Sequence, residues 1–276
     1  MVLSLSFSPC PNDTFMFDAL IHHKVDTEGL EFEVRFEDIE TLNRNALAGE
    51  PDITKLSTKA LSLVLDKYLI LNSGAALGFG VGPLLLSKMD LPHWKNHIKD
   101  YHFGIPGALT TANFLLDFAF PGPKKKTEMV FSEIENNLLN DTIDIGLVIH
   151  ESRFTYQQKG LHKLLDLGNF WEEKTGLPIP LAAIAIKKTL SKEIQLKVER
   201  VLRKSIEFAF SYPDSSLSFI RSLSQDMDAT VVKKHIDLYV NDYSIQLGDL
   251  GKSAILKLFQ SFNPQLGEEG LFLMNR

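Results

Sequence analysis

The stretch SGAALGFGVGPLLLS, residues 73–87, decides the architecture. Gly74, Gly78, Gly80 and Gly82 fall just before the apolar run Leu84–Leu86. A dinucleotide-binding glycine fingerprint opens a helix, whereas here a strand follows. The segment therefore reads as a place where the chain crosses from one lobe to another.

Upstream, strand and helix patterns alternate. Val2–Phe7 places Leu3, Leu5 and Phe7 on one side of a strand, and Phe15–His23 follows as a helix capped by Asn12, Asp13 or Thr14. Leu30–Phe36 and Asp52–Leu56 read as strands, Asp38–Ala48 and Thr58–Asp66 as helices. Downstream a second series runs through Tyr101–Ile105, Thr111–Ala119, Glu128–Phe131, Ser132–Leu139 and Ile143–Ile149. PIPLAAIAI, 178–186, is one more apolar run, and beyond it the chain is mainly helical: Ser191–Phe210, with Ser191 as cap, then 214–224, 228–240 and 251–262. Such alternation implies βαβ units and largely parallel sheets. The expected fold is α/β with two lobes and a ligand cleft between them: residues 1–86 with 187–276 as the first lobe, 87–186 as the second.

The bulk numbers narrow the function. With 276 residues the chain is ample for a real core. A net charge of −6 without a long basic stripe argues against nucleic acid as a partner. Cys10 is the one cysteine, so no internal disulfide is possible. The beginning MVLSLSFSPCPND has no basic leader and no membrane-length apolar run, so a cytoplasmic protein without membrane insertion is expected.

Ligands of open α/β sheets bind beyond the carboxyl ends of the strands, which makes the strand-to-helix junctions the candidate sites. His150 closes the apolar run IDIGLVIH, 143–150, ahead of the polar ESRFTY. An imidazole there is suited to general-base work near neutral pH, or is a structural histidine bonded to backbone. Glu151 or Arg153 would orient it or bind substrate. Lys55, Leu56 and Ser57 follow a strand. Lys55 is either a local cation for a carboxylate or an exposed lysine, and Ser57 either a hydroxyl donor or a helix cap. Thr110 and Thr111 precede a helix after Gly107, a plausible carboxylate cradle. Ser8–Thr14, with Asn12, is either an anion-binding turn or ordinary capping. His93 and His97 have i,i+4 spacing but lack the glutamate of a zincin motif, so metal binding is not expected. Lys124–Lys126 reads as a solvated turn, and Cys10 as an inert buried thiol.

Several strings together resemble the 1,4-dihydroxy-6-naphthoate synthase family of the futalosine route to menaquinone: SPCPNDTF (8–15), EDIETLNR (37–44), TKLS (54–57), SGAALGFGVGPL (73–84), GLVIHESRFTY (146–156) and DLGNFWEEKTGLPIPL (166–181). The resemblance spans nearly the whole chain and is weakest around 119–140 and after about residue 250. It implies a type II periplasmic-binding-protein-like fold and a lyase acting on cyclic dehypoxanthine futalosine, a small-molecule carboxylate. It implies His150 as general base, Lys55 to Ser57 and Thr110 to Thr111 as substrate-contacting segments, and no metal or organic cofactor. A non-catalytic solute-binding protein of the same fold, or a sister pathway enzyme of the chorismate dehydratase type, are the alternatives.

Overall fold

The computed structural model describes residues 2–122, 124–150, 152–224 and 228–274. The chain forms two compact units, Met1–Gly78 with Pro180–Arg276, and Phe79–Ile179.

The first unit begins β1 (Val2–Phe7), α1 (Pro11–Ile21), β2 (Glu31–Phe36), α2 (Ile39–Ala48), β3 (Ile53–Ser57), α3 (Thr58–Leu61), β4 (Tyr68–Ile70), β5 (Ala76–Gly78). β1 pairs in parallel with β2 and β3. The second unit contains β6 (Leu84–Ser87), β7 (His102–Ile105), α4 (Thr111–Ala119), β8 (Lys125–Glu128), α5 (Ile134–Leu139), β9 (Ile145–Val148), α6 (Ser152–Thr155), β10 (His162–Asp166) and α7 (Leu167–Thr175). Its sheet runs in the order β10-β6-β9-β7-β8. β7 is parallel to both its neighbours, and β6 antiparallel to both of its own.

β11 (Ile179–Lys187) returns the chain to the first sheet, antiparallel between β3 and β4. The order there is β2-β1-β3-β11-β4, with β5 also on β11. α8 (Lys192–Ser211), α9 (Leu217–Leu223), α10 (Ala229–Tyr239), α11 (Asp242–Ile245) and α12 (Gly248–Gln260) complete that unit.

The core of the first unit follows from two periods. Leu3, Leu5 and Phe7 alternate along β1 into the interior. On α8, Val198, Val201, Leu202, Ile206 and Ala209 recur every three or four residues and bury one stripe. Ser191 caps that helix, accepting from Ile194 N–H at 3.3 Å. Ten consecutive residues of α1, Pro11–Leu20, are buried, so this helix is enclosed on all sides. Ser205 fastens it to α8, donating to the Met16 carbonyl at 2.6 Å and accepting from Leu20 N–H at 3.0 Å. No described helix is long and apolar enough to cross a membrane.

Several expectations shift. The units divide at 78/79 and 179/180 rather than at 86/87 and 186/187. β6 belongs to the second sheet through β9 and β10, and β11 to the first through β3 and β4. α1 starts at Pro11 with Cys10 as its N-cap residue, so Asn12, Asp13 and Thr14 lie within its first turn. Proline is favoured at that first helical position because its missing N–H would have no partner there. α3 stops at Leu61, and turns carry the chain on to β4. The strand expected at Glu128–Phe131 lies earlier, at Lys125–Glu128, and absorbs most of the lysine run that looked like a turn. Lys126 is held by Asp117 at 2.7 Å and by Asn113 Oδ1 at 2.8 Å, which anchors this edge strand to α4.

Candidate functional site

In the first unit, the junctions after β1 and β3 share one buried network. Asp13 sits in the first turn of α1 with 1% exposure. Its carboxylate accepts from four donors: Ser8 N–H (3.3 Å), Ser8 Oγ (2.7 Å), Asn12 Nδ2 (2.8 Å) and Lys55 Nζ (2.7 Å). Four is about the number of lone-pair sites an ionised carboxylate offers. The turn that resembled an anion site thus encloses an anion of its own. The remaining N–H groups of Asp13 and Thr14 go to the Cys10 carbonyl, and Cys10 is buried.

Lys55 is buried at 2% exposure and also donates to the Gly74 carbonyl at 3.2 Å. It is neither an exposed lysine nor an unpaired cation. An ammonium survives burial here because a carboxylate and a carbonyl replace its water. Gly74 makes this possible with φ +89, a conformation disfavoured for a residue with a Cβ, and a Cβ there would overlap Ile184 Cγ1.

Asn12 extends the network to α10. Since Asp13 can only accept, the Asn12 nitrogen faces it and the Asn12 oxygen faces His235 Nε2, at 3.0 Å. That fixes the proton on Nε2. His235 is fully buried and its ring packs on Tyr239, centroids 4.8 Å apart. Beside this network Glu199 accepts from Asn72 N–H and Ser73 Oγ, each at 2.8 Å, and burial pushes its carboxyl above the usual range.

Leu56 is fully buried and pairs with Ala183 across β3 and β11. Ser57 ends β3 at 3% exposure. Its side chain makes no capping bond to α3 and is held instead by Asn43 of α2: Ser57 N–H donates to Asn43 Oδ1 at 3.0 Å, and Asn43 Nδ2 lies 3.1 Å from Ser57 Oγ.

In the second unit, Thr110 is the N-cap residue of α4. Its hydroxyl accepts from Asn113 N–H at 3.1 Å and donates to the Gly107 carbonyl at 2.8 Å. Thr111 opens the helix and is buried. The N–H groups of Thr111 and Ala112 belong to the set that a helix start leaves without intrahelical acceptors. Such groups favour an anion, a preference the helix dipole adds to.

His150 lies two residues beyond the fully buried β9, half-buried and with φ +58. Non-glycine residues seldom adopt this left-handed conformation, and the strain gathers at functional positions. Its ring meets Phe131 edge-on, with centroids 4.8 Å apart and planes at 61°. Arg153, expected to orient His150 or bind substrate, bridges two loops. It donates to the Gly82 carbonyl and, at 2.7 Å, to Asp166 Oδ2. Asp166 Oδ1 in turn caps α7 through Gly168 and Asn169 N–H. Gly82 and Gly168 touch backbone to backbone, so a Cβ on either would overlap the other. Glu151 lies outside the described residues.

His97 ends the 3₁₀ turn Trp94–His97, and His93 precedes it with φ +63, so the two do not share the face of an α-helix. Among the described residues no group of three or more His, Cys, Asp and Glu side chains is placed to hold a metal ion.

Sequence reasoning missed Asn43, His235 and Phe131. Asn43 lies 14 residues from Ser57, and His235 lies 223 from Asn12. No local spacing marks either pair.

The two sheets define an α/β protein of the periplasmic-binding-protein-like class. The ligand-binding component of an ABC-type import system from Staphylococcus aureus matches with a TM-score of 0.73 at 14% identity, over 99% of this chain and 96% of its own. The periplasmic aliphatic sulphonate binding protein of Escherichia coli matches with 0.65 at 10%, over 98% and 91%. These likenesses establish the fold alone. A crystal structure of a protein from Archaeoglobus fulgidus is nearer, with a TM-score of 0.88 and 37% identity over 96% of this chain and 98% of that one.

The family model described as menaquinone biosynthesis matches residues 3–263, and the chain belongs to that family. It is 40% identical over 257 residues to the 1,4-dihydroxy-6-naphthoate synthase of Thermus thermophilus, covering 93% of this chain and 92% of the relative. It is 38% identical over 279 residues to the enzyme of the same name from Streptomyces coelicolor, covering 98% and 97%. These relatives place it among the enzymes of menaquinone biosynthesis.

Proposed function

We propose that the chain is a 1,4-dihydroxy-6-naphthoate synthase, a lyase that converts cyclic dehypoxanthine futalosine without a cofactor and uses His150 as general base. The observation that carries this reading is His150 itself. A half-buried imidazole is held in a strained left-handed backbone at the end of a buried strand. The near full-length identity to two synthases of that name supports the choice of substrate.

In this reading His150 takes the proton of a sugar hydroxyl. The oxygen's electron pair forms a carbonyl as the adjacent carbon–carbon bond breaks in the retro-aldol sense. The pair released from that bond passes to the ring-bearing fragment as an enolate, which takes back the proton held on His150 and aromatises to the dihydroxynaphthoate. Thr111 and the start of α4 hold acceptor groups of the substrate, and Thr110 shapes that start. Ser57 offers a hydroxyl. Lys55, with its charge already matched by Asp13, fixes the end of β3, and Leu56 packs beneath it. Asn12 and Arg153 act as supports. A positioned base contributes on the order of 10²–10⁴-fold, and orientation a large part of the remainder.

The test is to incubate the purified chain with cyclic dehypoxanthine futalosine and follow the naphthoate by mass spectrometry. Product formation is expected. No product, or turnover of chorismate instead, overturns the proposal.

A further inference from the structure

We infer that Asn43 is a positioning residue for substrate binding: it occupies one lone pair of the Ser57 hydroxyl and turns the hydroxyl proton away from itself, so the substrate group that meets that proton is a hydrogen-bond acceptor such as a carboxylate. This rests on the function proposed above and adds to it a residue and a polarity.

One group at this corner has a role that cannot be adjusted. A backbone N–H only donates, and Ser57 N–H lies 3.0 Å from the Asn43 side chain. The atom facing it must be the amide oxygen. The Asn43 nitrogen then faces Ser57 Oγ, at 3.1 Å, and donates to it. With the hydroxyl oxygen accepting there, its own proton points away from Asn43. Among the described residues Asn43 is the one hydrogen-bond partner of Ser57 Oγ, and Ser57 makes no capping bond. A buried hydroxyl proton without an acceptor is costly to keep.

Two further features bear on this corner. Thr58, next in sequence and fully buried, has an Oγ1 without a hydrogen-bond partner among the described residues. Asn43 is itself fully buried, on a helix whose start is fixed by Asp38 accepting from Glu40 and Thr41 N–H. The Asn43 amide therefore has little freedom to turn. An acceptor arriving at Ser57 finds the donor already aimed, which removes part of the ordering cost of binding.

Asn43→Asp reverses the polarity with little change of shape. One carboxylate oxygen still accepts from Ser57 N–H, and the other now captures the hydroxyl proton. For turnover of cyclic dehypoxanthine futalosine, KM is expected to rise about tenfold to a hundredfold, as for loss of a hydrogen bond to a charged group, with kcat little changed. In a Ser57→Ala background the same substitution is expected to add less than it does alone, since only the repulsion between two carboxylates remains once the hydroxyl is gone. A wild-type KM in Asn43→Asp, or the same fold rise in both backgrounds, overturns the inference.

Neutron diffraction from deuterium-exchanged wild-type crystals is a second test, needing neither a folded variant nor activity. The deuterons of Asn43 Nδ2 are expected on Ser57 Oγ, with the Ser57 deuteron directed elsewhere. A Ser57 deuteron shared with Asn43 overturns the inference even if turnover is found. Absence of turnover by the wild-type chain overturns the proposed function, while the neutron result still decides the polarity of Ser57.

Discussion

The two units treat the same kind of junction in opposite ways. At the ends of β1 and β3 the first unit seals its charges: Asp13 and Lys55 are buried and matched, and Asn12 and His235 fix their neighbours by the direction of single protons. At the end of β9 the second unit leaves an imidazole half-buried, on strained backbone, against the edge of Phe131. One junction is a rigid frame, and the other leaves a titratable side chain partly exposed. Burial and pairing suit shape, whereas a proton acceptor must exchange protons.

The sharpest way to break this contrast is His150→Asn. Asparagine tolerates the left-handed backbone, so the fold is expected to persist. Turnover should fall on the order of 10²–10⁴-fold with substrate affinity largely kept. Near-normal turnover in a steady-state assay would make His150 as structural as its counterparts in the first unit.

Lys55→Met tests the frame. Removing one partner leaves the Asp13 charge buried, and about 3–5 kcal/mol of stability is expected to be lost in denaturant unfolding. Adding Asp13→Asn should recover much of that, because the uncompensated charge disappears. Arg153→Met breaks a less buried pair, and a smaller loss of about 1–3 kcal/mol is expected. Equal losses at both sites would erase the difference in burial on which the contrast rests.

Thr111→Val addresses the helix start proposed to meet the substrate. A severalfold rise in KM is expected, equivalent to about 1 kcal/mol. Unchanged affinity would remove the cradle at α4.

Much of this frame was legible in the sequence, and the illegible parts share a cause. The period-two pattern of β1, the amphipathic stripe of α8 with Ser191 as its cap, and the glycine-rich crossover are local signals. They need no knowledge of what packs where. β8 hid because an edge strand tolerates lysines, and its run looked like a solvated turn until Asp117 and Asn113 came to meet Lys126. Lys55 could be read as a cation but not as a paired one, since its partner lies 42 residues earlier. The direction of the Asn43 and Asn12 amides depends on which neighbour can only donate or only accept. That is a property of the assembled site and not of any segment.

The smallest expected effect is on the surface of the first unit, where charges are paired but not sealed. Glu28 lies against Arg200, at 2.6 Å, and Lys204, at 3.1 Å. The bond from the Arg200 guanidinium holds its carboxyl down at about 2, from an ordinary value near 4.5. An acid lowered on folding contributes stability that is fully present above its unfolded value and is lost as the pH falls toward the folded one. Wild type should therefore unfold at a higher temperature than Glu28→Gln near neutrality, with the gap closing between about pH 4.5 and about pH 2. Added salt should shrink the gap at neutral pH, because solvent reaches this cluster. A gap indifferent to both pH and salt would mean that Glu28 stabilises through packing. This cluster would then differ from the sealed pair in kind, adding contact rather than charge to the first unit.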